Sequence, residues 1–279
     1  MDRPEDDTMT RIASRFPLLA VGTLALVSAL AAPATAQSNY APSFQSGPGG
    51  WTHPFGGEFP PVQGSALPVR QDPGHPFVNP VESFRFGDIS NPNLKQWAKE
   101  VMKKDNDEID AGKIQFTANS SCLPTGIPVF MLVPGPFYFL QTPTKVVMVE
   151  ESGHQARYIY LNEPHSANVK PSWLGESVGH YEGDTLVVDT VGLSTKTVVD
   201  SFRTPHTEKL HVVERWHLID GGNMLEVNIT VDDPDTFNRP WRTYQRYQRG
   251  LRPLAEFICA ENNQILFDYH MPVADKPDF

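Results

Sequence analysis

The segment HTEKLHVVERWHLI, His206 to Ile219, gathers groups able to move protons or hold a metal: His206, Glu208, His211, Glu214 and His217. Read as a strand, it places Leu210, Val212, Trp216 and Leu218 on one side, with Glu214 among them. His211, Val213, Arg215 and His217 take the other side. A carboxylate in an apolar row is costly unless it is paired or protonated. Desolvation raises its pKa, which prepares an acid or base for neutral pH. Two readings of Glu214 stand side by side. It is a catalytic acid/base working with a histidine (His206, His211 or His154), or it is braced by an arginine such as Arg157, Arg242 or Arg246.

The run His206-x-Glu208-x-x-His211 has zinc-ligand residue types. It lacks the i,i+4 helical pairing of a metallopeptidase and runs from a loop into a strand, so no metal is expected. His206 and Glu208 are read instead as polar groups at the mouth of a pocket, with His206 also a candidate acid/base. Gly175-Glu176-Ser177-Val178-Gly179 matches the hydrolase pattern G-x-S-x-G. That motif needs a helix after the serine, and strand signals follow here, so a nucleophilic Ser177 is not expected. There is no P-loop and no dinucleotide fingerprint, and no cofactor is expected. His154 sits in the hairpin Glu151–Gln155, and His165 and His180 flank the Trp173-Leu174-Gly175 loop. Tyr158, Tyr160, Trp173, Trp216, Trp241 and Tyr244 either line a substrate pocket or pack a core.

The elements that must carry these groups read as mainly β. After Gly112 the alternation has period 2, with candidate strands at Lys145–Glu150, Ala156–Leu161, Ser177–Tyr181, Thr185–Thr190, Lys209–Ile219, Met224–Val231, Trp241–Gln248 and Ala255–Ala260. Short connectors such as Glu182-Gly183-Asp184 and Asp220-Gly221-Gly222-Asn223 suit hairpins. A meander of this length must deal with its open edges. Closure into an antiparallel up-and-down barrel does so, and a two-sheet sandwich is the alternative. One helix precedes the strands: Ser90 or Asn91 suits its cap, Pro92 its first turn, and Leu94, Trp97, Val101 and Met102 one apolar face.

Composition sets the compartment and the partners. The formal net charge of −10 over 279 residues excludes a nucleic-acid surface and anchoring on anionic lipid. Arg11 and Arg15, the apolar run Pro17–Ala32, and Ala34-Thr35-Ala36 form a signal peptide over residues 1–36, giving a mature start at Gln37 in the periplasm or outside the cell. The apolar run is too short for a membrane span. The acidic stretch before Met9 points to Met9 as the start of translation. In an oxidising compartment the two cysteines, Cys122 and Cys259, form a disulfide by default. Residues 37–89 read as a Pro/Gly-rich arm: ten prolines and eight glycines between 41 and 92 leave no helical or strand period. Its aromatics favour wrapping over the barrel, and such an arm can reach a neighbouring copy. Residues 90–279 form the helix-plus-barrel domain.

Pro171–Leu193 (PSWLGESVGHYEGDTLVVDTVGL), Pro205–Arg215, Cys122–Pro128 and CAENN (Cys259–Asn263) resemble the recurring blocks of a large, mostly uncharacterised family of exported soil-bacterial proteins. The resemblance covers about residues 120–263 and implies a lipocalin-like (calycin-like) barrel. It implies no reaction. Together the residues point to an exported barrel acting on a small apolar or aromatic molecule by cofactor-independent acid/base chemistry of lyase, isomerase or hydrolase type. A lipocalin-like binding or carrier protein without catalysis is the alternative.

Overall fold

A computed structural model describes residues 43–47, 49–53, 57–76, 85–113, 118, 121–133, 135–151 and 155–259. The expected signal peptide, part of the expected arm and His154 lie outside the described residues. Nine strands close into one barrel in sequence order. They are β1 (Trp51–Thr52), β2 (Phe137–Gln141), β3 (Lys145–Glu150), β4 (Gln155–Leu161), β5 (Glu176–Glu182), β6 (Thr185–Val191), β7 (His211–Ile219), β8 (Met224–Asp232) and β9 (Trp241–Arg249). Among the described residues one α-helix, α1 (Gln96–Asp110), precedes β2. No helix among the described residues is long and apolar enough to cross a membrane.

The expectation of a purely antiparallel barrel is corrected at one seam. β4 and β5 run parallel, pairing Ile159 with Ser177, Tyr160 with Val178 and Leu161 with Gly179. The reason is geometric. Each antiparallel contact reverses the chain direction, and a closed ring must return to its starting direction. A ring of nine contacts therefore cannot be antiparallel throughout. Parallel neighbours need a crossover, and residues 162–175 supply it.

Two strands, β1 and β2, were not legible. β1 arises from the Pro/Gly-rich stretch and closes the ring between β2 and β9. Gly49 and Gly250 let the chains cross there: a Cβ on Gly49 would lie 1.8 Å from the Gly250 carbonyl oxygen. Conversely, the expected strand Ala255–Ala260 does not form over its described residues; 253–258 is irregular. β9 already pairs with β8 and β1, so no edge remains for it. Cys259 instead joins Cys122 in a disulfide spanning 137 positions. In the loop-entropy picture such a link contributes about 4–5 kcal/mol.

The helix starts later than its expected caps. Lys95 occupies the N-cap without a side-chain hydrogen bond. Asn91 is spent elsewhere, its amide donating to Pro68 O at 3.0 Å while its Oδ1 accepts from Asn93 N at 2.8 Å. The buried face is also rotated, to Ala98, Met102, Asp105, Asn106 and Ile109, while Trp97 and Val101 are exposed. Asn106 explains the rotation. Its side chain pairs with the Gly87 backbone in both directions, accepting at 3.1 Å and donating at 2.9 Å.

Met102 packs against the loop 199–204, where Asp200 is fully buried. Its carboxylate accepts hydrogen bonds from Phe202 N (2.8 Å), Thr204 N (3.2 Å) and Thr204 Oγ1 (2.7 Å). Desolvation outweighs these bonds and Arg203, and pushes the carboxyl up to about 6. A folded-state pKa above the unfolded one means that Asp200 favours folding fully below about pH 4. That contribution is lost as pH rises through about 6, to the extent of about 3 kcal/mol. Asp200→Asn has no such dependence. Between pH 4 and 7.5 its stability in urea unfolding is expected to improve relative to wild type by about 2–3 kcal/mol; a constant difference across that range would overturn this account.

Candidate functional site

The barrel interior is where Glu214 lies. Alternation along β7 turns Val212, Glu214 and Trp216 inward, and all three are buried. The carboxylate is met by Arg157 from β4: Nη2 donates to Oε1 at 2.7 Å and Nη1 to Oε2 at 2.8 Å. Trp216 Nε1 donates to Oε2 at 2.8 Å. The remaining guanidinium hydrogens reach Ser177 Oγ on β5 (Nε 3.2 Å, Nη2 3.1 Å) and Thr190 Oγ1 on β6 (Nη2 2.8 Å). Of the two readings of Glu214, the structure displays the arginine brace, with Arg157 as the partner. Above it, Phe137, Phe139, Trp216 and Tyr247 pack ring against ring, with centroids 4.7–6.0 Å apart. Burial holds the Tyr247 phenol well above its ordinary pKa, with the Glu214 charge adding to this. These side chains are buried in the core cluster of the barrel, where the sequence reading placed a ligand.

A cavity of about 390 Å³ opens instead on the outer side of the β4/β5 seam. The parallel pairing begins only at Ile159 and Ser177, so the first half of β4 has no β5 partner. The crossover loop covers that gap. The cavity is lined by Ala156, Arg157, Tyr158 and Tyr160 of β4, Asn168, Lys170, Ser172, Leu174 and Gly175 of the loop, and Glu176 and Ser177 of β5. Tyr158 and Tyr160 are the exposed aromatics of this wall, and the Lys145 ammonium lies 5.5 and 4.9 Å from their ring centres.

A hydrogen-bonded network anchors the loop. Glu176 accepts from Ser166 N (2.7 Å) and Ser166 Oγ (2.6 Å), and lies 3.1 Å from His165 Nδ1. His165 Nε2 meets Asp189 Oδ1 at 2.7 Å, and His211 Nε2 meets Asp189 Oδ2 at 2.7 Å. Ser166, chiefly, holds the Glu176 carboxyl below its ordinary pKa. Partial burial pushes the Asp189 carboxyl up, but the His165 and His211 bonds together outweigh it and leave the pKa lowered.

The predicted site residues are therefore dispersed. Glu214 is inside the wall and His211 outside it. His206 is buried in the loop before β7, bonded to Thr197 Oγ1 (2.8 Å) and Thr207 O (2.8 Å), and desolvation lowers its pKa. Trp216 and Trp241 are core residues. Tyr244 lies on β9, which is not a neighbour of β4, and stacks under Arg246 at 5.0 Å. Trp173 is half-buried in the crossover loop. Of the six aromatics, Tyr158 and Tyr160 meet at the cavity. Asn168, Lys170, Glu176 and Asp189 went unread, because their relation depends on where a loop crosses a seam. No metal-binding group of three or more acidic, histidine or cysteine side chains occurs among the described residues. Comparison finds no matching protein-family model, no matching curated protein and no matching solved structure.

Removing one member of a buried pair strands the other charge. Glu214→Gln is expected to lower unfolding free energy by about 3–5 kcal/mol, and Arg157→Met with Glu214→Leu to recover most of that loss. A single variant that unfolds in urea like wild type would refute the brace.

Proposed function

We propose that this protein binds a small aromatic molecule in the seam cavity, as an exported, lipocalin-like binding or carrier protein. The observation that carries the reading is the cavity itself. Its volume of about 390 Å³ falls within the roughly 300–1,000 Å³ of small-molecule sites. Two tyrosines form one wall and a polar loop forms the other, so a flat ring can stack while its substituents find hydrogen-bond partners. The loop is fixed to the barrel by Glu176, His165 and Asp189, which preorganises the site. The signal-like N-terminus and the disulfide favour an exported setting. Binding is preferred over acid/base catalysis by Glu214, because both oxygens of that carboxylate are already engaged by Arg157 and Trp216.

A thermal-shift screen of small aromatic compounds tests the reading. A true ligand at a hundredfold its Kd adds about 2.7 kcal/mol, a rise of several degrees in Tm. It is expected to be recovered chemically unchanged. Tyr158→Ala with Tyr160→Ala should cost the ligand about 1–3 kcal/mol of affinity while sparing the fold, since both rings are surface groups. A ligand bound equally well by the double variant sits elsewhere, and a ligand that is converted makes the protein an enzyme.

A further inference from the structure

We infer that the ligand of the seam cavity is an aromatic carboxylate and that Lys170 binds its anionic group. The inference rests on the cavity being the binding site, and it comes from charge accounting. Three charged side chains line the cavity: Arg157, Lys170 and Glu176. Two are already neutralised within the protein. The Arg157 guanidinium is held by Glu214 at 2.7 and 2.8 Å and by Ser177 and Thr190. The Glu176 carboxylate is held by Ser166 through both its amide and its hydroxyl, and by His165. Lys170 is exposed, and among the described residues no carboxylate lies within salt-bridge distance of it. An ammonium lining the same cavity as Tyr158 and Tyr160, whose rings already carry the Lys145 ammonium, makes a local positive site on a chain whose net charge is −10. It selects the sign of what enters.

The geometry also fixes the arrangement of the ligand. Tyr158 and Tyr160 lie on β4, and Lys170 lies on the facing crossover loop, so a ring stacked on the tyrosines directs a substituent across the cavity toward the ammonium. Asn168 of the same loop also lines the cavity and offers a neutral donor. An amine or guanidine in that position would face Lys170 with like charge. A neutral ring would bind by stacking alone, without the ion pair.

Isothermal titration calorimetry with a matched pair, sodium cinnamate and cinnamamide, separates the charge from the ring. With the full-length mature protein at low ionic strength, cinnamate is expected to bind about fivefold tighter than the amide, the strength of a good exposed ion pair. Raising the salt from about 0.02 to about 0.5 M should close that gap, because an exposed pair is screened over these distances. Lys170→Gln should bind acid and amide alike, near the wild-type affinity for the amide, and Lys170→Arg should keep the preference for the acid. Equal binding of acid and amide by wild type would overturn the assignment of charge while leaving the aromatic site standing. A preference for the acid that survives in Lys170→Gln would overturn the role of Lys170. Binding of neither compound at millimolar concentration would overturn both this inference and the cavity as an aromatic site.

Discussion

A ring of nine strands joined in sequence order must contain a parallel contact, and much of this protein is arranged around where that contact falls. It lies between β4 and β5. Parallel neighbours cannot be joined by a tight turn, so the chain crosses over through 162–175 and enters β5 late. The first half of β4 is left without a partner on that side. A sheet cannot leave such a gap inside a core, and the two sides of the wall resolve it differently.

Inside, the gap is spanned by one guanidinium. Arg157 reaches Ser177 on β5, Thr190 on β6 and Glu214 on β7, so four consecutive strands are tied by a single side chain. Burying an ion pair is costly in isolation. Here both carboxylate oxygens and all three guanidinium nitrogens have hydrogen-bond partners, and Trp216 adds a second donor to Oε2. The pair is more directional than apolar packing, and it fixes where β5 enters relative to β4. Outside, the same gap is roofed by the crossover loop, which leaves the cavity. The loop is held by Glu176, His165 and Asp189 in the way the interior is held by Arg157: each charge is answered within the fold. Lys170 stands apart from that pattern.

Much of the strand content was legible from local pattern. The hairpins β5–β6 and β7–β8 follow from alternation flanked by Gly183, at φ +59°, and by Asp220, Gly221 and Gly222, all at positive φ. The inward placement of Glu214 follows from parity, and Arg157 was among the partners it could have had. What escaped was non-local. β1 is two residues long and exists because β2 and β9 need closing, which no window of sequence reports. The helix face was misjudged because Asn106, polar and hence read as outward, satisfies itself on Gly87. The histidines of one segment were grouped by proximity in sequence, whereas His206 is buried against Thr197 and His211 shares the Asp189 carboxylate with His165, from a different part of the chain.

The sequence by itself determined the alternation of the strands, the positions of the tight turns and, with two cysteines, the disulfide that forms. These depend on backbone preferences and side-chain polarity over a few residues. Tertiary structure decided which arginine answers Glu214, that Phe137, Phe139, Trp216 and Tyr247 pack together in the core, and that Tyr158, Tyr160 and Lys170 share a cavity. Those outcomes depend on strand order, register and the place of the single parallel seam. Period-2 alternation says which way a side chain points; only closure of the ring says what it meets there.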